Sequence, residues 1–410
     1  MKTLSLLLLA VLAGPASVRQ PAQPPGADDG FAVHEWGTFN QLQGIAGVAL
    51  EGMQHEDEPL PDFVKRRLAR TPSPYRAYGD DSVLVHARHA NTKMETPVLY
   101  FHSQIARRVR VEVTYEHGLL SEWYPAVAHM TPEGPLTNPD IQALPRSSIA
   151  WDVEVAAPSS GRDDDRRLPA VNAREPWALA RDVDANVVTS GGESEKYLFY
   201  RGIGDQHLPL SVIPSGDVRV IVNQGDRIAG AVLIEMGERD GRFTVLGALD
   251  RGARVVDLAG AGGAGNRTAS GQPKAEAVRD LGVAVEELLV AQGLYRDEAR
   301  AMVKTWTRTW FDKPGRRVLY IVPSAFVNAT LPLHIEPAPA SLVRVLVGRL
   351  EYQTDDDRAQ LAVAVGTDDK ATLAARGRFL EPELRDVLQR GYDGDIRTKI
   401  TALLRSLEGR

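Results

Sequence analysis

The side chains best suited to chemistry in this sequence are its histidines, and their placement is uneven. Of nine, seven precede residue 130 (His34, His55, His86, His89, His102, His117 and His129), with only His207 and His334 beyond it. Imidazole binds zinc, iron and copper, and it carries protons near neutral pH. Carboxylates stand in the same segments. "FAVHEWGTFN" (31–40) brings Glu35, "KMETPVLYFH" (93–102) brings Glu95, and "YEHGLLSEWYP" (115–125) brings Glu116 and Glu122. Two or three imidazoles with one carboxylate suit a transition metal and leave a coordination position for water. His34, Glu95, His102 and His117 are the candidate ligands on this reading. Carboxylates beside Trp123 and Tyr124 would also suit acid and base work on a sugar.

Other chemistries lack their structural context. No HExxH occurs, and no two histidines are spaced i, i+4. Ser190 and Ser194 lie near Glu193 and Glu195 in "TSGGESEKYLFYRG" without a G-x-S-x-G frame, so the segment reads as a glycine turn entering a strand. Gly260, Gly262 and Gly265 reproduce the dinucleotide-binding spacing. That motif needs a helix at its last glycine, and Gly271 and Pro273 follow instead. NAD is therefore not an expected cofactor, and no catalytic residue is assigned.

These residues need a scaffold. In "RVRVEVTYEH" the residues Val109, Val111, Val113 and Tyr115 alternate with Arg110, Glu112, Thr114 and Glu116, the pattern of a half-buried strand. "SVLVH", "PVLYFH", "IAWDVEV", "KYLFYRG", "DVRVIVN", "AGAVLIEM" and "RFTVLGAL" are further strand candidates, separated by turns such as "NQGD" and "ERDG". Two helices follow, with Val278, Leu281, Val285 and Leu288 on the face of one and Ala299, Met302, Trp306 and Trp310 on the face of the other. The tryptophan stripe reads as core. Strands return in "RRVLYIVP", "LPLHIEP" and "SLVRVLVGRLEY", and short helices close the chain.

The expected fold is mixed and mainly β: an antiparallel sandwich or barrel-like sheet, a smaller α+β region, and C-terminal short helices. The segments are a β-rich domain over 31–258, a Gly-rich linker over 259–273, an α+β region over 274–352 and a helical cap over 353–410. Before them, Lys2, the apolar run from Leu4 to Gly14 and small residues around Ala16 and Ser17 read as a signal peptide over 1–17. A Pro/Gly-rich tether over 18–30 follows it. The expected location is secreted or periplasmic, with no membrane span after signal cleavage. The chain has no cysteine, which removes disulfides, thiolate nucleophiles and a lipid-modified cysteine. A net charge of −6 without dense Lys/Arg stretches argues against nucleic acid as partner.

Strand alternation puts His34 and Trp36 on one face and Glu35 on the other, left to solvent or a salt bridge. Burial of the Trp36 indole would carry His34 inward, to the edge of a polar pocket near Glu95, His102 and His117. The phrases "VHEWGTF", "METPVLYFH", "GLLSEWYP", "EKYLFYRGIG" and "GRRVLYIVP" together resemble an exported bacterial protein family of unknown function that starts with an HEWGTF segment. The resemblance runs from Val33 to about Glu351 and implies export, with no mechanism attached. Two functions remain open. One is an exported β-rich protein that binds a protein partner or envelope component. The other is a metal-dependent or carboxylate-based envelope hydrolase with its site in the N-terminal β region.

Overall fold

A computed structural model describes residues 30–53, 60–67, 89–134, 136, 146–158, 168–258, 271–389, 391–392 and 394–407. Residues 1–17, read above as a signal peptide, nearly all of 18–30, the "SVLVH" strand candidate and most of 259–273 lie outside these residues. Strand outweighs helix, 42% to 28%, and the split is regional: large sheets occupy the N-terminal and central parts, while helices lie mostly toward the C-terminus.

The centre is a ten-stranded sheet. Its order is Gln272–Pro273, Asp240–Leu249, Ile228–Met236, Gly315–Ile321, Ser341–Tyr352, Ala32–Gln43, Thr92–His102, Leu198–Gly204, Gly118–Tyr124 and Lys65–Arg66. The HEWGTF strand, Ala32–Gln43, is inside it and buried at every position. It pairs antiparallel with Thr92–His102 on one side and parallel with Ser341–Tyr352 on the other. That parallel pair departs from an all-antiparallel sheet, and it joins strands from both sides of the glycine-rich segment. Of the strands of 274–352, Gly315–Ile321 and Ser341–Tyr352 complete this sheet, while Leu333–Glu336 pairs with Arg107–Glu116 in a second one.

The two faces of this sheet bury different things. Val33, Phe39, Leu99, Phe101 and Tyr200 face a second sheet, where Val109, Val111, Val113, Tyr115 and Trp151 complete one core. This is the sandwich. Trp36, Val98, Tyr100, Phe199 and Val345 face the opposite way, against helices Lys274–Val290 and Arg296–Trp306. Helix Lys274–Val290 turns Ala277, Leu281, Val285 and Leu289 inward at helical spacing. Trp306 and Trp310 are buried and stacked with ring centroids 4.8 Å apart, as the core reading of that stripe requires.

The C-terminal helices Asp355–Thr367, Lys370–Ala375, Leu380–Gln389 and Asp395–Leu407 pack on one another through Leu361, Val365, Leu373, Leu384 and Ile400. Thr354 caps the first of them by accepting from the Asp357 backbone N–H, and Asp357 answers at the Thr354 N–H. Among the described residues, no helix is long and apolar enough to cross a membrane.

Candidate metal centre

Three elements meet at one buried carboxylate. His34 is near the start of the HEWGTF strand, and His102 ends the neighbouring strand. In that register His34 pairs with Tyr100 and Ala32 with His102, so both imidazoles stand diagonally on the helix-covered face. Glu298 comes from the first turn of helix Arg296–Trp306, where it closes a capping box with Tyr295. His34 Nδ1 donates to Glu298 Oε2 at 2.8 Å, and His102 Nε2 donates to Oε1 at 2.9 Å. The Tyr295 backbone N–H donates to Oε2 at 2.7 Å.

Glu298 is fully buried and His34 is 2% exposed, while the His102 side chain keeps 15% of its surface. Burial alone would raise the Glu298 carboxyl. The hydrogen bonds from His102 and His34, the His34 charge and the Tyr295 N–H outweigh it and hold the group below the ordinary carboxylate range. Its position at a helix N-terminus also favours the anion. The Tyr295 ring lies over both imidazoles, with centroids 4.4 and 4.9 Å away, and is itself 48% exposed.

One donor atom from each of His34, His102 and Glu298 can be chosen so that all lie within 4.8 Å of one another. A tetrahedral zinc ion with bonds of about 2.0–2.1 Å sets its ligands roughly 3.3 Å apart. An ion would therefore enter after shifts of about an ångström, with each imidazole presenting an unprotonated nitrogen. Two nitrogens and a carboxylate are a donor set suited to zinc, iron or copper. Without an ion the same groups form a closed hydrogen-bonded clasp between sheet and helix.

The other two candidate ligands are not in this group. Glu95 accepts from Asn40 Nδ2 at 2.9 Å and pairs with Arg378, which reaches it from the C-terminal helices. Along its strand it is roughly 20 Å from His102 at about 3.3 Å per residue. His117 occupies the turn between strands Arg107–Glu116 and Gly118–Tyr124, in a left-handed conformation with φ 55°. Gly118 pairs with Gly204, which pairs with Thr92, so His117 is at the far end of that strand, roughly 30 Å from His102. The correction has a physical reason. Alternation fixes which face a residue takes but not which strand ends come together, and neighbouring segments here run in opposite directions.

The remaining polar candidates serve structure. Glu35, on the opposite face as expected, is buried; Arg344 Nε donates to it at 2.5 Å and the Tyr200 hydroxyl bonds it too. His89 bonds Glu51 at 3.1 Å on the surface. Trp123 and Tyr124 are each 4% exposed, so neither offers an open ring face to a sugar. Ser190 and Glu193 pair across a hairpin turned by Gly191 and Gly192, both at positive φ.

Glu298 was not visible to histidine counting, because it lies 264 residues from His34. One signal was present. Glu298, Met302, Trp306 and Trp310 recur every fourth residue, which places a carboxylate at the head of a buried stripe. No protein-family model matches the chain, and no curated protein matches it.

Proposed function

We propose that this is an exported metal-binding protein of the cell envelope, with one divalent transition-metal ion held by His34, His102 and Glu298. A single observation carries the reading: three donors from three elements converge on one point of a buried interface. The imidazoles sit on the two adjacent strands and the carboxylate on the helix, so an ion would lock the helix layer to the sheet. Cavities of about 610, 380 and 250 Å³ among the described residues are lined by other residues. That favours a metal that secures a binding scaffold over one that meets substrate. A hydrolase reading draws on the fourth coordination position, where a zinc-bound water would ionise near pH 7, and on the partial exposure of His102.

Export rests on the charged start, the apolar run and the small residues after it, together with the resemblance to the HEWGTF family. Elemental analysis of protein purified without added chelator tests the metal. About one equivalent of zinc, iron or copper per chain, lost in a His34→Ala, His102→Ala double variant, is the expected result. Substoichiometric metal, together with no rise in melting temperature on adding zinc, would reduce the group to a hydrogen-bonded clasp.

A further inference from the structure

Beside Trp36 the interface between sheet and helices opens into a small cavity of about 50 Å³. At roughly 10–15 Å³ per water, it has room for about four waters or one organic molecule of a few heavy atoms. Strands Ala32–Gln43, Thr92–His102 and Leu198–Gly204 line it with Trp36, Val98 and Phe199. The short helix Pro176–Ala180 contributes Trp177, and helix Arg296–Trp306 contributes Thr305 and Trp306. Glu175, also in the lining, is solvent-exposed, so the cavity reaches the surface on that side.

Its polar wall is only partly satisfied. Trp177 Nε1 donates to Glu195 at 2.8 Å, and the Tyr197 hydroxyl donates to the Trp177 carbonyl at 3.0 Å. By contrast, Trp306 Nε1 and the hydroxyls of Thr305 and Thr96 are buried without a hydrogen-bond partner among the described residues. Thr305 and Trp306 are themselves only 4% and 6% exposed. A helical threonine commonly returns its hydroxyl to the backbone one turn back. Thr307 does so, donating to the Val303 carbonyl at 2.7 Å, and Thr309 donates to the Trp306 carbonyl at 3.4 Å. Thr305 makes no such bond. A buried polar atom left unmet is costly, so three of them around one cavity point to an occupant.

The backbone leaves regular geometry at the same place. Thr96, a β-branched residue, holds a left-handed φ of 44°. Helix Arg296–Trp306 widens into a π-helix over Thr307–Phe311, from which Thr309 lines the cavity. Irregularities of both kinds concentrate at functional sites. Charge then narrows the ligand class. Glu95 and Glu175 are matched in number by Arg201 and Arg378, and Glu95 pairs with Arg378. The lining therefore favours neither an anion nor a cation. An indole N–H only donates, whereas a threonine hydroxyl donates or accepts. Their complement is an apolar body carrying a hydroxyl.

We propose that this cavity binds a small neutral alcohol, its hydroxyl bonded to Trp306 Nε1 and a threonine and its carbon body against Trp36, Val98 and Phe199. The site is independent of the metal reading. The chain has six tryptophans, so its indole N–H signals are few enough to follow in a proton–nitrogen NMR spectrum of the isotope-labelled full chain. Trp306→Phe identifies the Trp306 signal by its loss. The probes are n-propanol, n-propyl chloride of similar size, propionate and propylammonium. The alcohol should shift the Trp306 signal saturably in the millimolar range and bind more tightly than the other three. Thr305→Val removes the hydroxyl at nearly the same shape and should weaken binding about fivefold, the worth of one neutral hydrogen bond. If Thr305→Val does not fold, a crystal soaked in n-propanol decides, with the alcohol oxygen expected within about 3.2 Å of Trp306 Nε1 or Thr305 Oγ1. Ordered waters alone in that crystal, no saturable shift, equal binding of the chloride or of either ion, or unchanged affinity in folded Thr305→Val would overturn the proposal.

Discussion

Glu298 shows how much one side chain can be asked to hold. Its two oxygens accept from an imidazole on each of two strands and from a backbone N–H at a helix start. Glu298→Ala would leave three donors unmet, that of His34 buried and those of His102 and the Tyr295 backbone partly so. Hydrogen bonds to charged groups are worth about 1.5–3 kcal/mol each, with incomplete additivity. We expect a loss of about 3 kcal/mol in urea unfolding, whereas a loss below about 0.5 kcal/mol would place it among ordinary surface substitutions. Gly37 makes a different demand. The register of the HEWGTF strand shifts between Trp36 and Thr38, and a Cβ on Gly37 would sit 2.8 Å from Pro97 Cα. Opposite it, Thr96 takes a left-handed φ of 44°. Gly37→Ala should therefore lower stability by about 1–3 kcal/mol through backbone overlap. An unchanged melting temperature would show that the bulge yields freely.

At the scale of elements, the C-terminal helices are tied to the sheet by charge as well as by packing. Arg378 reaches Glu95, and Arg316 bonds Asp357 at 2.8 Å. Glu383 works against this attachment when ionised. Its folded-state pKa is raised from 4.5 to about 7, chiefly by burial. The folded state then binds the proton more tightly than the unfolded one. The resulting stabilisation is fully present below pH 4.5 and disappears as pH rises through 7. The span corresponds to about 3 kcal/mol at about 1.4 kcal/mol per unit. In denaturant titrations, the stability of Glu383→Gln relative to the parent chain should accordingly rise between pH 5 and pH 8. A constant difference across that range would mean that Glu383 titrates normally.

For the molecule as a whole, what could be read in the sequence divides along a physical line. Alternation and helical spacing are local properties, and among the described residues they located many of the longer strands, the two helices and the C-terminal helices, though not the strands Leu210–Ser215 and Gly118–Tyr124. They also put His34 and Trp36 together on the inward face, and Val98, Tyr100 and His102 together on theirs. Pairing is not local. That Ser341–Tyr352 lies beside Ala32–Gln43, and that a helix brings Glu298 to His34, depends on contacts across some 300 positions, about which periodicity says nothing. Glu95 was misplaced for the same reason, its partner being an arginine in the C-terminal helices. Export is tested on material from the native host. The mature N-terminus should begin near Ser17, and a chain retaining Met1 in the cytoplasmic fraction would contradict it.

The central claim is that His34, His102 and Glu298 share one ion. Anomalous diffraction from crystals of the zinc-loaded protein, collected on both sides of the zinc edge, tests it most directly. We predict one strong peak about 2.0–2.2 Å from an imidazole nitrogen of His34, one of His102 and a carboxylate oxygen of Glu298. An empty difference map at that point, with Glu298 still bonded to both imidazoles at 2.8–2.9 Å, would contradict the account.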